Sequence, residues 1–311
     1  MRRGGSIRRA AWWRCAGGAA AVAALAGASG PAAADGPVEF KGFRAEASWT
    51  SDSDVNRAPS GDTLHDRILA VRVSASGAVP VSERTRFVLQ GFAGTQRFGT
   101  FTGLSNNSVG TQGDFFFRSS GEYGAPTWGA FVRLAKEEYE SNLRDGYRNA
   151  YGVTVLKPAT DRILLSGALT LNTTDGKSAV FDTKNTALRG NADWSLGRWD
   201  TVYLGAEYRK GDSVSTVCRN CDANRTLGFV NSATAIIQDD AFTDTVRDAY
   251  RLKANTLIAT LGYNHAFNEK QSFDVSWRRV QSQGQNPVSP ATASDLRYTL
   301  NQFSAAYLAR F

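Results

Sequence analysis

The sequence has few of the residues that usually carry out catalysis. Its 311 residues include two histidines, His65 and His265, and three cysteines. Most hydrolytic sites need a base within reach of the substrate, and the sequence has no Gly-x-Ser-x-Gly nucleophile motif. Asp66 follows His65, but neighbouring residues of a strand point to opposite faces, so this pair makes a poor dyad. We predict that the chain is not an enzyme and has neither a cofactor nor a metal.

After its first residues the sequence also lacks the apolar run of about 20 residues that a membrane-spanning helix needs. The early stretch "CAGGAAAVAALAGASG" is short and rich in Ala and Gly. "MRRGGSIRRAAWWR" precedes it with five arginines and no acid, and "PAAAD" follows it. Such an arrangement is typical of a secretory signal peptide. We predict cleavage after Ala34, so that residues 1–34 are the signal and 35–311 form the mature domain.

Removal of this segment lowers the excess of positive charge. The net charge of the whole sequence is +7, and the five arginines of residues 1–34 account for most of it, which leaves +2. The basic character therefore reflects targeting, and we predict no nucleic-acid partner.

Two cysteines, Cys218 and Cys221 in "CRNC", stay in the mature chain. In an exported protein such a pair is more often a disulfide than a redox site, and no thioredoxin-like pattern surrounds it. We predict a disulfide, with a two-ligand metal site as the alternative.

Segments with apolar residues at alternate positions recur along the mature chain. Two examples are the sets Phe43, Ala45, Ala47, Trp49 and Leu69, Val71, Val73, Ala75. A period of two is the mark of a strand with one apolar face. The twelve predicted segments are 37–50, 64–77, 85–96, 114–122, 127–136, 146–156, 162–172, 185–196, 200–210, 252–264, 272–281 and 296–311.

The connections between these segments alternate between long and short. "KPATD" and "GRWD" are examples of short ones, and the longest connection is 211–251. Transmembrane barrels have short periplasmic turns and longer outer loops, and their Trp and Tyr residues form girdles near the strand ends. We predict an all-β fold, an antiparallel transmembrane β-barrel of about 12 strands with short periplasmic turns and long extracellular loops.

The sequence ends in "NQFSAAYLARF", where Phe303, Tyr307 and Phe311 share one face of a strand. This ending resembles that of Gram-negative outer-membrane β-barrels, whose last strand commonly finishes with Phe after alternating hydrophobic residues. The resemblance implies that these residues are a recognition signal for the barrel-assembly machinery. It also implies localisation in the bacterial outer membrane, with lipid and lipopolysaccharide as partners.

The stretch "SDSDVNRAPSGD" carries a second resemblance. It is similar to a stretch after an early strand of some porin-like proteins linked to exopolysaccharide export or surface-lipoprotein assembly. Asp52, Asp54 and Asn56 have the spacing of the start of a calcium loop, but Arg57 and Thr63 occupy the positions that need Gly and Glu. We therefore expect a solvated loop.

Arginine dominates the strand positions opposite the apolar set. In strands eight and nine the local phase places Leu188 and Tyr208 outside, which puts Arg189 and Glu207 inside. The predicted pore-lining arginines are Arg44, Arg72, Arg118, Arg133, Arg148, Arg162, Arg189, Arg209 and Arg278. An excess of guanidinium groups along a pore favours anions, and their planar forks suit carboxylates.

We predict a porin-like outer-membrane channel for small solutes of the anionic or saccharide type. In the alternative the arginines pair with acids and brace a narrow barrel. The chain is then a non-conducting accessory or scaffold in the export of surface polysaccharide or protein. Two arrangements are open for the apolar stretch at 229–242. It either folds into the lumen as a constriction or forms an outer flap pinned by Cys218 and Cys221.

Overall fold

The computed structural model describes residues 39–289, 291, 292 and 295–311, and the predicted signal segment 1–34 lies outside them. This part of the chain is mostly strand, with one α-helix, α1 (Ala223–Ser232). None of its helices is long and apolar enough to cross a membrane. The strands of the described residues are β1 (Glu39–Asp52), β2 (Asp66–Ser82), β3 (Thr85–Phe98), β4 (Asn106–Arg118), β5 (Thr127–Tyr139), β6 (Gly146–Pro158), β7 (Ile163–Gly176), β8 (Thr183–Ser195), β9 (Asp200–Cys218), β10 (Ala235–Gln238), β11 (Arg247–Ala266), β12 (Gln271–Gly284) and β13 (Arg297–Arg310).

Twelve of these strands close into a barrel. From β1 to β9 each strand pairs with the next along the chain. β9 then pairs antiparallel with β11, and β13 completes the ring by pairing with β1. β10 stands outside the ring and pairs only with the end of β11. The prediction of an antiparallel β-barrel of about 12 strands is confirmed.

The alternating sequence decides which side chains face the interior. In β2, Leu69, Val71 and Val73 are exposed on the outer surface, whereas Arg72 and Ser74 point inward and are less accessible. Apolar surface of this extent is unfavourable in water and suits hydrocarbon. Aromatic residues near the strand ends are also exposed, among them Trp49, Trp128, Tyr147, Trp194 and Tyr208. The outer surface therefore has the pattern of a lipid-facing wall with interfacial girdles.

The predicted start of β4 is wrong. The prediction began this strand at residue 114, but it begins at Asn106. The first half of the strand reads "NNSVGTQG", in which Val109 is the only large apolar residue. Phe92 of β3 leaves no room for a side chain at Gly110, because a Cβ there would lie 2.5 Å from Cζ of Phe92. The period-two signal is weak here because the outward positions of this half hold Asn107, Thr111 and Gly113 beside Val109.

The seam between β1 and β13 depends on a glycine. The amide of Phe311 donates a hydrogen bond to the carbonyl of Phe43 at 3.0 Å. Gly42 has a φ of +109°, and a Cβ at this position would lie 2.5 Å from the carbonyl oxygen of Phe311. Glycine adopts this backbone conformation without strain. Phe303 and Tyr307 are exposed on the outer face of β13, and their role in assembly stays a prediction.

Gly110→Ala should lower the stability of the barrel. The new Cβ would lie 2.3 Å from the carbonyl oxygen of Leu134 as well as against Phe92, and overpacking of this kind costs about 1–3 kcal/mol. The measurement is the urea concentration at which the folded barrel unfolds. Gly190→Ala is the matched control, since nothing lies within 4 Å of a Cβ at that position. Equal midpoints for Gly110→Ala and the wild type would contradict the prediction.

Candidate functional site

The two ends of the barrel differ in the length of their connections. At one end lie the turns 83–84, 119–126, 159–162, 196–199 and 267–270. At the other end lie the loops 53–65, 99–105, 140–145, 177–182, 219–246 and 285–296. We refer to this second group together as the cap and to its first member, 53–65, as loop 1. In outer-membrane barrels the longer loops face the outside of the cell.

β9 and β11 extend beyond the wall as a two-stranded ribbon, which consists of residues 212–218 and 247–253. β8 pairs with β9 only as far as Gly211, and β12 pairs with β11 only as far as Ala254. Beyond these residues β9 and β11 continue to pair with each other. Gly211 has a φ of +145°, and this glycine conformation lies at the base of the ribbon.

Other parts of the cap pair with both edges of the ribbon. The amide of Thr216 donates to the carbonyl of Asn56 at 2.8 Å, and Nδ2 of Asn56 donates to the carbonyl of Thr216 at 2.9 Å. The amide of Cys218 donates to the carboxylate of Asp62 at 2.7 Å. On the other edge, β10 pairs with residues 248–251. Through these hydrogen bonds loop 1 covers the edge of the ribbon that β9 forms.

The connection between β9 and β11 reaches across the mouth of the barrel. The ring centroid of Phe242 lies 5.1 Å from that of Phe101, in the loop between β3 and β4. A Cβ at Gly103 in the same loop would lie 2.4 Å from Cα of Ala241. β3 and β4 lie opposite β9 and β11 in the ring. Residues 239–242, which we term the bridge, therefore span the mouth.

Buried acid–base pairs hold the bridge in place. Arg144, from the loop between β5 and β6, donates to both carboxylate oxygens of Asp239 at 2.6 and 2.5 Å. Oγ1 of Thr216 donates to the same carboxylate at 2.8 Å, and the side chain of Asp239 is 0% exposed. Arg247 of the ribbon pairs with Asp62 of loop 1 at 2.8 Å. Because a buried charge is stable only when it is paired, these contacts fix the segments relative to one another.

The stretch 229–242 lies among the cap loops. Its β10 pairs with the ribbon beyond the wall, whereas residues 239–242 contact the loop between β3 and β4 across the mouth. Phe229 is buried, and its ring centroid lies 5.2 Å from that of Tyr250. A disulfide joins Cys218 to Cys221 at the end of β9, the pair that the sequence predicted.

Loop 1 is not the solvated loop that the sequence predicted. In loop 1, Asp54 is 0% exposed and Asn56 is 2% exposed, and Asp52 at the end of β1 is also 0% exposed. Arg57, with a φ of +55°, donates to both carboxylate oxygens of Asp52 at 3.1 and 2.8 Å. The polar side chains of this loop therefore form hydrogen bonds within the loop and to the ribbon. The spacing of these residues in the sequence does not predict their burial, because some of the partners lie in the distant ribbon.

Most of the predicted pore-lining arginines lie on the inner face of the wall. By the alternation of each strand, these are Arg44, Arg72, Arg118, Arg133, Arg148, Arg189, Arg209 and Arg278. Arg118 lies at the periplasmic end of β4. Arg162 is the exception, because it lies in the turn before β7 and is exposed. The prediction that it lines the lumen is wrong because the strand begins one residue later.

Several of these arginines are paired with acids. Glu207 is buried and accepts hydrogen bonds from Nε of Arg189 at 2.8 Å and from Nε of Arg209 at 3.1 Å. Arg44 pairs with Glu46 at 3.1 Å, and a further pair joins β5 and β6, between Glu137 and Arg148. In these parts of the wall the arginines brace the interior, as the alternative reading of the sequence holds.

Arg72 and Arg133 face the interior beside these pairs but are themselves not ion-paired with an acid of the described chain. The guanidinium carbons of Arg72 and Arg133 lie 4.0 and 4.7 Å from the ring centroid of Phe92. Neither forms an ion pair within 4 Å with an acid of the described residues. A cation over an aromatic ring gains about 0.5–2 kcal/mol and keeps its net charge. We refer to these three residues as the arginine–phenylalanine cluster.

The interior also has an apolar side that the sequence did not predict. Ile258, Val280 and Leu300 are cross-strand neighbours on β11, β12 and β13 and form a buried cluster with Tyr298. The outer faces of these strands are apolar too, so the contrast between the two faces is weak in the sequence. The interior therefore has the arginine–phenylalanine cluster on one wall and a buried apolar cluster on another.

The two histidines lie at opposite ends of the barrel. His65 is exposed in loop 1, and the carboxylate of Asp66 accepts the amide of Thr100 at 3.0 Å. His265 lies at the periplasmic end, with Nδ1 2.8 Å from Oδ1 of Asp200. No group of three or more His, Cys, Asp or Glu side chains in the described part of the chain has the arrangement of a metal site. That the chain is not an enzyme stays a prediction.

Solved structures of outer-membrane channels are similar to this barrel. No protein-family model and no curated protein matches the chain. The chain is similar to an outer membrane channel from Pseudomonas putida F1, with a TM-score of 0.52 and 9% identity over 87% of this chain and 96% of that one. It is also similar to the KdgM porin in complex with disordered oligogalacturonate, with a TM-score of 0.45 and 10% identity over 86% and 99%. At these identities the likeness concerns the fold.

The barrel and its outer surface give the localisation. A closed antiparallel ring with a lipid-facing apolar wall, short turns at one end and long loops at the other is the architecture of the outer-membrane barrels to which the chain is similar. The protein has the fold of an outer-membrane β-barrel, and its apolar outer wall places it in the bacterial outer membrane.

Arg144→Ala should release the bridge while leaving the barrel folded. The substitution leaves the buried carboxylate of Asp239 without its arginine, and loss of one partner of a buried pair costs about 3–5 kcal/mol. Hydrogen exchange of residues 239–242 should become faster. Lys136→Ala is the control, because it breaks an exposed pair with Glu138, and exposed pairs contribute little to stability. Unchanged exchange in the Arg144 variant would show that this pair does not hold the bridge.

Proposed function

We propose that the protein is a porin-like channel that passes small anionic solutes across the outer membrane, with the cap controlling access to its outer mouth. The observation that carries this proposal is the arginine–phenylalanine cluster. Arg72 and Arg133 face the interior and have no acidic partner within 4 Å among the described residues. A barrel of twelve strands lies between filled eight-stranded barrels and open sixteen-stranded ones, so a narrow path fits this size.

Electrostatics supports a preference for anions at these two residues. A charge pair about 4 Å apart at an effective dielectric constant near 20 interacts by about 4 kcal/mol before screening. At 0.15 M salt the influence of a charge is confined to roughly 8 Å. Arg189 and Arg209 contribute less, because the carboxylate of Glu207 offsets their charge. The unpaired arginines should therefore dominate selectivity.

The chemistry of guanidinium narrows the class of solute to oxyanions. Its planar set of donors fits the two oxygens of a carboxylate better than a spherical ion. Passage of saccharides stays a prediction, as do lipopolysaccharide and the barrel-assembly machinery as partners. The cleaved signal at residues 1–34 is part of the proposal, since export precedes insertion into the outer membrane.

Replacing both Arg72 and Arg133 with Gln should reduce the anion preference, and replacing both with Glu should reverse it. The reason is that the charge facing the path is removed or inverted while the wall stays intact. The measurement is the reversal potential of the purified barrel in planar bilayers under a salt gradient. The preference should also weaken as ionic strength rises, because the charges are screened.

Arg162→Gln is the control for this experiment. Arg162 carries the same charge but lies exposed in a periplasmic turn, so its removal should leave the reversal potential unchanged. A wild-type channel that prefers cations, or a double variant that behaves as the wild type does, would contradict the proposed role of the cluster.

The bridge favours a second candidate function, a non-conducting barrel that serves as an accessory or scaffold in export. Residues 239–242 span the mouth, and such a closure suits a barrel that passes nothing. The Arg144→Ala variant separates the two functions. Current that appears or increases when the bridge is released supports the channel, whereas absence of current in both the wild type and this variant supports the scaffold.

A further inference from the structure

Loop 1 contains a buried carboxyl group whose hydrogen bonds are incomplete. Asp54 is 0% exposed. Its Oδ1 accepts the amide of Ala58 at 3.2 Å. Its Oδ2 is buried and has no hydrogen-bond partner among the residues that the structure describes. An ionised carboxylate is stable in a buried position only when its oxygens are bonded or paired, so this position favours the neutral acid.

The cation nearest to Asp54 is Arg57, which is paired with a different acid, Asp52. Both terminal nitrogens of Arg57 bind the carboxylate of Asp52, which also accepts a hydrogen bond from Gln302 at 2.7 Å. Toward Asp54, Arg57 donates to the backbone carbonyl and not to the carboxylate. Burial raises the pKa of Asp54 to about 7, and the neighbouring Asp52 adds to the rise, while Arg57 and the amide of Ala58 oppose it.

Charged and titratable groups of other elements also face loop 1. They are Tyr298 of β13 and Arg278 of β12, which both lie near Arg57, and Arg247 of the ribbon. Arg247 is engaged by Asp62 and Asp244. On the bridge side, Val55 packs against apolar residues, among them Phe101 and Phe242.

The position of Asp54 connects its charge to the closure of the mouth. Val55, the next residue, packs in the cluster that contains Phe242 of the bridge. Asn56, two residues on, makes the paired hydrogen bonds to Thr216 of the ribbon. A movement of Asp54 into water therefore pulls loop 1 away from both the bridge and the ribbon.

We propose that loop 1 is a proton-operated latch on the cap, in which the protonated carboxyl of Asp54 holds loop 1 against the ribbon and loss of its proton to solvent releases it. The latch concerns the cap itself. That its release admits solutes rests on the proposed channel function.

The direction of the pH dependence follows from proton binding in the two states. A solvent-exposed Asp has a pKa of about 3.9, lower than that of Asp54 in the latched state. The latched state therefore binds the proton more tightly and is favoured at low pH. Its advantage falls as pH rises from about 4 to about 7 and is then constant. Between pH 5 and pH 7.5 the ratio of latched to released loop should fall by roughly 50- to 100-fold.

Hydrogen exchange measures the latch without any need for conduction. The amides of Thr216 and Cys218 donate to loop 1, so their protection reports on the latched state. After correction for the intrinsic effect of pH, exchange of residues 214–218 in the wild-type barrel should be faster at pH 7.5 than at pH 5. Exchange of β7, in the middle of the wall, is the internal reference. Equal corrected exchange at the two pH values would overturn the latch.

Asp54→Asn tests whether this carboxyl is the group responsible. The amide has nearly the same shape and does not ionise, so its variant should keep residues 214–218 protected at both pH values. Glu140→Gln is the matched control, because Glu140 is an exposed acid in another loop of the cap. It should retain the wild-type pH dependence. The same dependence in Asp54→Asn as in the wild type would assign the titration to another group and overturn the proposal.

Conductance then separates the latch from the channel. For a conducting barrel, open probability should rise from pH 5 to pH 7.5 in the wild type and in Glu140→Gln, but not in Asp54→Asn. A pH-dependent exchange at residues 214–218 in a barrel that passes no current would support the latch and reject the channel. Current together with exchange at residues 214–218 that does not depend on pH would support the channel and reject the latch.

Discussion

The structure depends on one constraint, that every backbone amide and carbonyl within the membrane must find its partner inside the protein. A closed ring of strands satisfies it, because closure leaves no unpaired edge in the hydrocarbon. The pairing of β13 with β1 is the step that closes this ring, and beside it lie the hydrogen bond from the amide of Phe311 and the positive φ of Gly42. Beyond the membrane water can also pair with backbone groups, yet the edges of the ribbon are covered by loop 1 and β10.

The sequence is sufficient to predict the barrel because the wall imposes its own period on the chain. Each strand must present apolar residues to lipid at every second position, and this local rule also gives the phase of Leu188 and Tyr208 correctly. It fails in the first half of β4, where the outward positions include Asn107, Thr111 and Gly113. Contacts between distant residues, such as that of Phe92 with Gly110, are also not predicted by this rule.

The same distinction separates what the sequence reveals of the candidate site from what it does not. The alternation along each strand predicts which arginines face the interior, but it does not predict which of them are paired with an acid. Arg189 is neutralised by an acid 18 residues away, whereas Arg72 and Arg133 meet at one phenylalanine from different strands. The bridge and loop 1 are beyond sequence reasoning for the same reason, since their polar residues are paired across the mouth.

The composition of the cap explains how a single proton could control it. Burying ion pairs such as the one between Arg144 and Asp239 yields little net stability, because desolvation offsets most of the attraction. Apolar clusters around Tyr250 and Phe242 also pack within the cap, but the described part of the cap lacks the continuous backbone pairing of the wall. Each pH unit between the pKa values of Asp54 in two states changes their balance by about 1.4 kcal/mol, which is a small amount for the barrel. For the proposed latch, the same amount is enough to shift the balance between the latched and the released state of loop 1 about tenfold.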